Sequence, residues 1–353
     1  MTRTIGKPLK VAAVGLGWVT THRHLPTLRE NPHYQLIGVI DSQARVQTIA
    51  QQYNCTHLQQ TDTLENIPWL DEVDAITIGT PPETHYSLIK TALQLGKHVL
   101  TEKPFAMTVA EGEELVTLAK TQGLTLGIVH NFQFASSTQR LLHDIKSGCF
   151  GKIKAIVAQQ LSNPRRRLPA WYEQLPLGLF YDESPHFFYL VSKIAPGSLK
   201  LLQSDIFPST LKQVTPAAIN LQYQCDSTEF GTLPVSINMN FEAPISEWHL
   251  TVYGENYLGD IDIFRDIYIR LPNDGLHTTR TVIRTSAFAT WQHWSQHFTS
   301  GIKHLRGTLR YGNDVVFSRF AEAAITGCEL EDIGAINALS VLKMQHEAIG
   351  FHR

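Results

Sequence analysis

An apolar run that stops at Gly15-Leu16-Gly17 constrains this chain more than any other feature. Leu9 to Val14 reads as a buried strand and the glycines as a tight turn. The segment to Glu30 reads as a helix stopped by Asn31-Pro32. A second apolar strand, Leu36 to Ile40, ends at Asp41. Strand, glycine turn, helix and strand make a βαβ unit, with the turn at the first strand's carboxyl end.

That arrangement suits a dinucleotide. Gly15 permits the turn, and Gly17, lacking a Cβ, lets the backbone approach a pyrophosphate at the positive end of the following helix. Leu16, Trp18 and Val19 complete the cofactor-facing turn. Asp41 stands where a carboxylate bonds both hydroxyls of an adenosine ribose, which favours NAD. Arg45, just beyond it, offsets the repulsion of an extra phosphate, so NADP stays open. The third glycine position is Thr20, whose larger side chain is expected to push the helix off the strand. The competing reading is a glycine-turn βαβ unit with no ligand.

The alternation continues. Ala75 to Gly79 is a short buried strand followed by Thr80-Pro81-Pro82. Leu88, Ile89, Ala92, Leu93 and Leu95 recur at helical spacing before Gly96, and a strand ends in Glu102-Lys103-Pro104. A helix from Val109 to Lys120 and a strand from Leu124 to Val129 follow. Parallel strands with crossover helices predict a doubly wound α/β Rossmann domain over residues 1–130, with ligands at the carboxyl ends of its strands. Glu102 and Lys103 therefore lie where a cofactor's reactive end belongs. Over residues 131–353 the runs KIKAIVAQQL, SINMNFEAP, WHLTVYG, YLGDIDIFR and DIYIRL predict an α+β domain with a large, mainly antiparallel open sheet. Its uncovered face would be a ready homodimer surface. LEDIGAINALSVLKMQHEAIG reads as an amphipathic closing helix.

Charge and composition narrow the partners. A formal charge of −2 argues against nucleic acid. The four cysteines form no CxxC pair, which fits reduced thiols. His22 and His24 lack further ligands at zinc spacing, so the histidine content reads as background and no metal is expected. No apolar run is long enough to cross a bilayer, and the apolar stretch near the N-terminus lacks a convincing small-residue cleavage site; the expectation is a cytoplasmic protein with no membrane partner.

VGLGWVTTHRHLPTL, GTPPETHYSLIKTALQLGKHVLTEKPFAMTVAEGEELV and GLFYDESPHFFYLV resemble, in that order, the blocks of the Gfo/Idh/MocA oxidoreductase family. The resemblance covers the first 190 residues well and is looser beyond them. It implies an NAD(P)-dependent dehydrogenase or reductase acting on a sugar, polyol or related alcohol, assembled as a dimer or tetramer. By the same resemblance Lys103 is the catalytic lysine, and Glu102 and Lys103 border the nicotinamide. Thr80, Pro81 and His85 line the cofactor cleft, Asn131 lies near the nicotinamide, and Asp182 and His186 match an Asp-x-x-x-His pair whose histidine exchanges the substrate proton.

The chemistry agrees with those roles. An ammonium at Lys103 stabilises alkoxide-like charge, Glu102 holds the lysine oriented, and histidine exchanges protons near neutral pH. Asp182 orients His186 if the two share a helix face. An N-cap role for Asp182 and a helix broken around Pro185 are the alternatives. Arg165, Arg166 and Arg167 with Trp171 and Tyr172 are candidates for a substrate lid, against a solvated intersubunit loop. Two other functions compete with the enzyme: a ligand sensor that kept the fold but lost catalysis, and a glycosidase that recycles a tightly held NAD.

Overall fold

A computed structural model describes residues 7–351. The chain divides into two compact units. The first comprises residues up to Asn131 together with Asn313–Lys343; the second comprises Phe132–Gly312 and the residues from Met344 onward.

The first unit is built on a six-stranded parallel sheet of β1 (Leu9–Val14), β2 (Tyr34–Asp41), β3 (His57–Gln60), β4 (Ala75–Ile78), β5 (His98–Thr101) and β6 (Leu126–Ile128). Their order, β3-β2-β1-β4-β5-β6, is that of a Rossmann sheet, reversing direction between β1 and β4. Helices α1 (Leu25–Glu30), α2 (Arg45–Tyr53), α3 (His85–Gln94) and α4 (Val109–Gln122) make the crossovers. A capping box between Thr108 and Glu111 starts α4, and Gly123 in the left-handed region ends it.

The boundary expected from sequence, with everything after residue 130 in a second domain, needs correction. Helix α8 (Asn313–Thr326) belongs to the Rossmann unit. Phe317 and Phe320 are buried there, Tyr34 donates to the Phe317 carbonyl, and Asn31 bonds Ser318. The Ile128 N–H reaches the Ile333 carbonyl, so the returning chain also covers the outer strand β6.

Thr20 acts differently from the expectation. The chain leaves the glycine turn through a π-helical turn, Thr20–His24, before α1 begins. Thr20 is fully buried above Gly79, and a Cβ added at Gly79 would lie 2.2 Å from Thr20 Oγ1. The glycine missing from the helix side of this contact is supplied on the strand side. Gly79→Ala is expected to destabilise the fold by about 1–3 kcal/mol. Thr20→Ala removes the clashing oxygen and should restore most of that loss. Urea denaturation of both single variants and the double variant checks the coupling; simple additivity would rule the contact out.

The second unit carries a seven-stranded sheet ordered β13-β12-β11-β7-β10-β9-β8. Its strands are β7 (Ile153–Leu161), β8 (Ser198–Phe207), β9 (Ala218–Ser227), β10 (Gly231–Asn240), β11 (Glu247–Gly254), β12 (Tyr257–Asp262) and β13 (Ile267–Pro272). Only β7 and β10 pair in parallel; every other pair is antiparallel. One face is buried, with Ile156, Ala158, Leu221, Ile237 and Leu250 at its centre. The other is part-exposed and polar: Ser236 bonds Gln222, and Thr251 and His249 bond Asp260.

Helices α5 (Ser136–Lys146), α6 (Leu179–Ile194) and α7 (Thr279–Leu305) complete this unit, and α9 (Ala335–Gly350) runs across the division at Lys343/Met344. The edge strand β13 is not left open. Gln292 bonds both the N–H and the C=O of Arg270, each at 3.0 Å, and Gln296 does the same at Tyr268, at 2.7 and 2.5 Å. Four helical residues rise about 6 Å and two strand residues about 6.7 Å, so glutamines spaced i, i+4 match a strand's i, i+2 groups. The two amides thus substitute for a neighbouring strand.

Candidate active site

Five strand ends of the Rossmann unit carry polar residues at one edge of the sheet. At β1, Gly15 has φ +76°, and a Cβ there would meet Thr80 Cγ2 at 2.4 Å, so the turn sits tightly against the end of β4. At Gly17 the nearest atom to an added Cβ would be 3.9 Å away. The protein therefore leaves that space open, as a phosphate-approach glycine requires. Leu16 and Val19 are buried and part-exposed respectively, while Trp18 is 56% exposed, stacked by His22 and faced by Arg23.

Asp41, at the end of β2, is buried and already engaged. It accepts the Leu16 N–H at 2.5 Å, the Gln43 N–H at 2.8 Å and Arg45 Nε at 3.1 Å. The Leu16 bond ties the acidic strand end to the glycine turn. Arg45 is the exposed partner of the set, so a ligand hydroxyl can reach the carboxylate by displacing it. Open space at Gly17 beside an acceptor at Asp41 fits a dinucleotide.

Two buried histidines organise the ends of β4 and β5: His85, expected at the cleft, and His24, which the sequence reading set aside as background. His24, fully buried, joins Thr77 Oγ1 through Nδ1 and Glu102 Oε1 through Nε2, both at 3.0 Å. Burial opposes ionisation of Glu102, but the His24 hydrogen bond and the nearby His24, Lys103 and His85 charges outweigh it, holding the carboxyl below its usual range. Lys103 follows directly, part-exposed, joined to Pro104 by a cis peptide bond.

His85 is fully buried, between the Pro104 carbonyl at 2.7 Å and the Thr80 carbonyl at 2.9 Å. The structure places it inside the protein, pinning the Thr80–Pro81 and Lys103–Pro104 segments, rather than on a cleft wall. Burial lowers its pKa against the pull of both carbonyls. Thr80 and Pro81 are part-exposed beside it, and Asn131 is buried after β6.

His130, also buried, is pushed down to about 3, by burial first and then by the Lys103 charge. A histidine held below its unfolded value refuses a proton that the unfolded chain accepts. Its contribution is complete above the unfolded pKa and is lost as pH falls from there toward 3. At pH 5 it should cost about 2 kcal/mol relative to pH 7, and His130→Asn should flatten that part of the stability curve. Denaturation at the two pH values measures both. An unchanged slope in the variant would reject the assignment.

In the second unit His186 lies on α6 and is buried. Helix α6 is continuous through Pro185, so the alternative of a broken helix does not hold, and its N-cap is Gly178, so Asp182 stands within the first turn instead of capping it. Proline lacks the N–H that would bond the carbonyl four residues back, at Tyr181. Gln345 of α9 supplies the missing donor at 2.6 Å, and the same amide reaches Ser184 Oγ at 3.0 Å. Asp182 and His186 thus lie one true turn apart, with Asp182 part-exposed.

The described partner of His186 is Tyr189, whose hydroxyl lies 2.8 Å from Nδ1 and accepts the Phe132 N–H at 3.1 Å. The hydroxyl and Nδ1 share one proton, and which of them donates follows the ring's tautomer. Phe132 and Trp248 pack the ring, at centroid distances of 4.8 and 5.5 Å. A tyrosine three residues after the histidine was the available signal for this pair.

The proposed lid divides. Arg166 forms an ion pair with buried Glu183, whose other oxygen accepts from Gln160, so it is not a solvated residue. Arg165 and Arg167 are exposed, Trp171 is part-exposed, and Tyr172 is buried at 7% exposure, which leaves little ring face for stacking.

Residues 9–130 match the family model described as oxidoreductase family, NAD-binding Rossmann fold, GFO_IDH_MocA. The match spans about a third of the chain, which over those residues is similar to the Gfo/Idh/MocA oxidoreductases. An uncharacterized oxidoreductase of Escherichia coli, YdgJ, is 32% identical over 181 residues, 50% of this chain and 51% of that one. D-glucoside 3-dehydrogenase of E. coli is 29% identical over 165 residues, 46% of each chain. The chain matches about half the length of these curated relatives. The structure of KijD10, a 3-ketoreductase of Actinomadura kijaniata solved with NADP and TDP-benzene, has a TM-score of 0.73. It is 15% identical, covers 97% of each chain, and shares the fold. Among the described residues no helix is long and apolar enough to cross a membrane.

Proposed function

We propose that this protein is a cytoplasmic NAD(P)-dependent oxidoreductase that moves a hydride between nicotinamide and a secondary alcohol or ketone carbon of a sugar, polyol or sugar derivative. The observation that carries this reading is the end of β5. There Lys103 follows a carboxylate held ionised by buried His24, at the same sheet edge as the glycine turn. The 3-position chemistry named for D-glucoside 3-dehydrogenase and for KijD10 supports a carbohydrate carbon as the reacting centre.

Gly15 to Val19 and Asp41 would hold the dinucleotide, with Thr80, Pro81, Glu102 and Asn131 toward its reactive end. Nicotinamide, when bound, accepts or returns the hydride. Lys103 stabilises the charge that develops on the substrate oxygen, and Glu102 orients it. His186 exchanges the oxygen's proton. A Tyr189 hydroxyl donating to Nδ1 would hold the ring proton on Nε2, the form that donates during ketone reduction. Asp182, Arg165 and Trp171 are proposed substrate contacts. Asp41 favours NAD, while Arg45, released from the carboxylate, would accommodate the phosphate of NADP. Self-association through the open sheet face would use a polar surface with little apolar area.

A sugar and polyol panel followed at the NADH absorbance tests the reading. Turnover of a carbohydrate alcohol, abolished in Lys103→Ala, is the expected result. Cofactor binding without redox turnover across the panel would favour a sensor, and glycoside cleavage without net NADH would favour a glycosidase.

A further inference from the structure

Two buried side chains of the second unit lack hydrogen bonds on complementary atoms. Trp248 Nε1, a donor, and Gln160 Oε1, an acceptor, have no partner among the described residues. Trp248 is 4% exposed and Gln160 is fully buried. Buried polar groups are ordinarily paired, so two unmet groups at one place call for a reason.

Strand register sets them together. β11 and β7 pair antiparallel with Trp248 directly opposite Gln160, which puts their Cβ atoms about 4.5–5.5 Å apart on one sheet face. Helix α6 covers that face. Glu183 accepts from Gln160, and the His186 and Phe187 rings pack on Trp248 at centroid distances of 5.5 and 5.3 Å.

Chemistry narrows what can satisfy both atoms. The Glu183 carboxylate, ion-paired with Arg166, accepts only from a donor, so the Gln160 amide turns Nε2 toward it and keeps Oε1 unmet. An anion can accept from the indole N–H but gives nothing to Gln160, and a cation does the reverse. A hydroxyl does both: its oxygen accepts from Nε1–H and its proton goes to Oε1. Arg166 Nε, in the same ion-paired cluster, is likewise buried and unmatched, and an alcohol oxygen has a second lone pair to offer.

We propose that Trp248 and Gln160 form a subsite for one substrate hydroxyl, on the carbon next to the reacting one, so that the protein recognises a vicinal diol. The inference rests on the oxidoreductase reading, with His186 at the reacting oxygen. Ring packing from Phe132, His186, Phe187 and Phe264 holds the indole, with no hydrogen bond to its nitrogen among the described residues. A turn of that ring admits the hydroxyl, and a ligand without one leaves both buried groups unmet. A trapped water carries the same donor and acceptor, and the test separates the two sources.

Methyl β-D-glucopyranoside and its 2-deoxy and 4-deoxy analogues are the probes, because 3-position chemistry leaves carbons 2 and 4 as neighbours. In the wild type, kcat/KM should fall at least about 100-fold for one of the two deoxy sugars. Trp248→Phe should cost the parent sugar about 10–100-fold and change that deoxy sugar less than about threefold. Equal losses would mark damaged packing and overturn the proposal.

Indole nitrogen-15 spectra of the NADH-bound wild type give a readout independent of turnover, and decide the case should Trp248→Phe fold poorly. The Trp248 signal, assigned through its contact with the Phe187 ring, should move downfield with the parent sugar and stay in place with the discriminated deoxy sugar. A signal already in the bonded range without sugar, and unmoved by it, would assign the pair to a trapped water and overturn the subsite. Any other unmoved signal would also overturn it; with turnover intact, the oxidoreductase reading still stands. A shift on sugar binding without turnover keeps the subsite and removes that reading.

Discussion

Lys103→Ala is expected to lower kcat about 10³-fold, or about 4 kcal/mol of transition-state stabilisation, while the Kd for NADH changes less than about threefold. The ammonium acts on charge that develops only during reaction, so its loss belongs in kcat and not in cofactor affinity. Lys103→Arg keeps a positive charge but replaces a compact ammonium with a planar fork, and should recover only part of the rate. Stopped-flow hydride transfer and NADH fluorescence titration separate the two quantities. A variant within threefold of wild type in kcat would remove Lys103 from the mechanism. Glu102→Gln tests the adjoining link: it leaves His24 a neutral partner and takes away a carboxylate that the structure keeps charged. Its loss should also fall mainly on kcat.

His186→Ala should lower turnover about 10²–10⁴-fold, the range for loss of a positioned proton donor. Tyr189→Phe discriminates more sharply, because it deletes one oxygen and leaves the imidazole in place. In the proposed reaction the Tyr189 hydroxyl, 2.8 Å from Nδ1, donates to that nitrogen and so holds the ring proton on Nε2. Without it both tautomers populate, and kcat should fall about tenfold. Nitrogen-15 shifts of the His186 ring should show mixed tautomers in the variant and a protonated Nε2 in the wild type. A ring whose shifts do not respond to Tyr189→Phe would break the connection, whatever the rate did.

Much of the site could be read locally. The glycine turn, the acidic end of β2 and the Glu102-Lys103 strand end each follow from a short pattern: apolar strand, break, polar terminus. Helix periodicity likewise placed His186 one turn after Asp182, although Pro185 seemed to forbid it. What made that helix possible was Gln345, whose amide satisfies the Tyr181 carbonyl from 164 positions away. Arg166 followed the same logic, since its exposed-looking triplet conceals an ion pair with buried Glu183.

By itself the sequence determined the alternation of strands and helices, the place of the dinucleotide turn and the residues at the strand ends, because each depends on neighbours a few positions apart. The tertiary structure alone decided that His24 holds Glu102, that the Tyr189 hydroxyl bonds the His186 ring, that Gly79 makes room for Thr20, and that Asn313–Lys343 returns to the Rossmann unit. Those pairings arise from strand order and helix packing, which bring distant residues within bonding distance and leave no periodic trace along the chain.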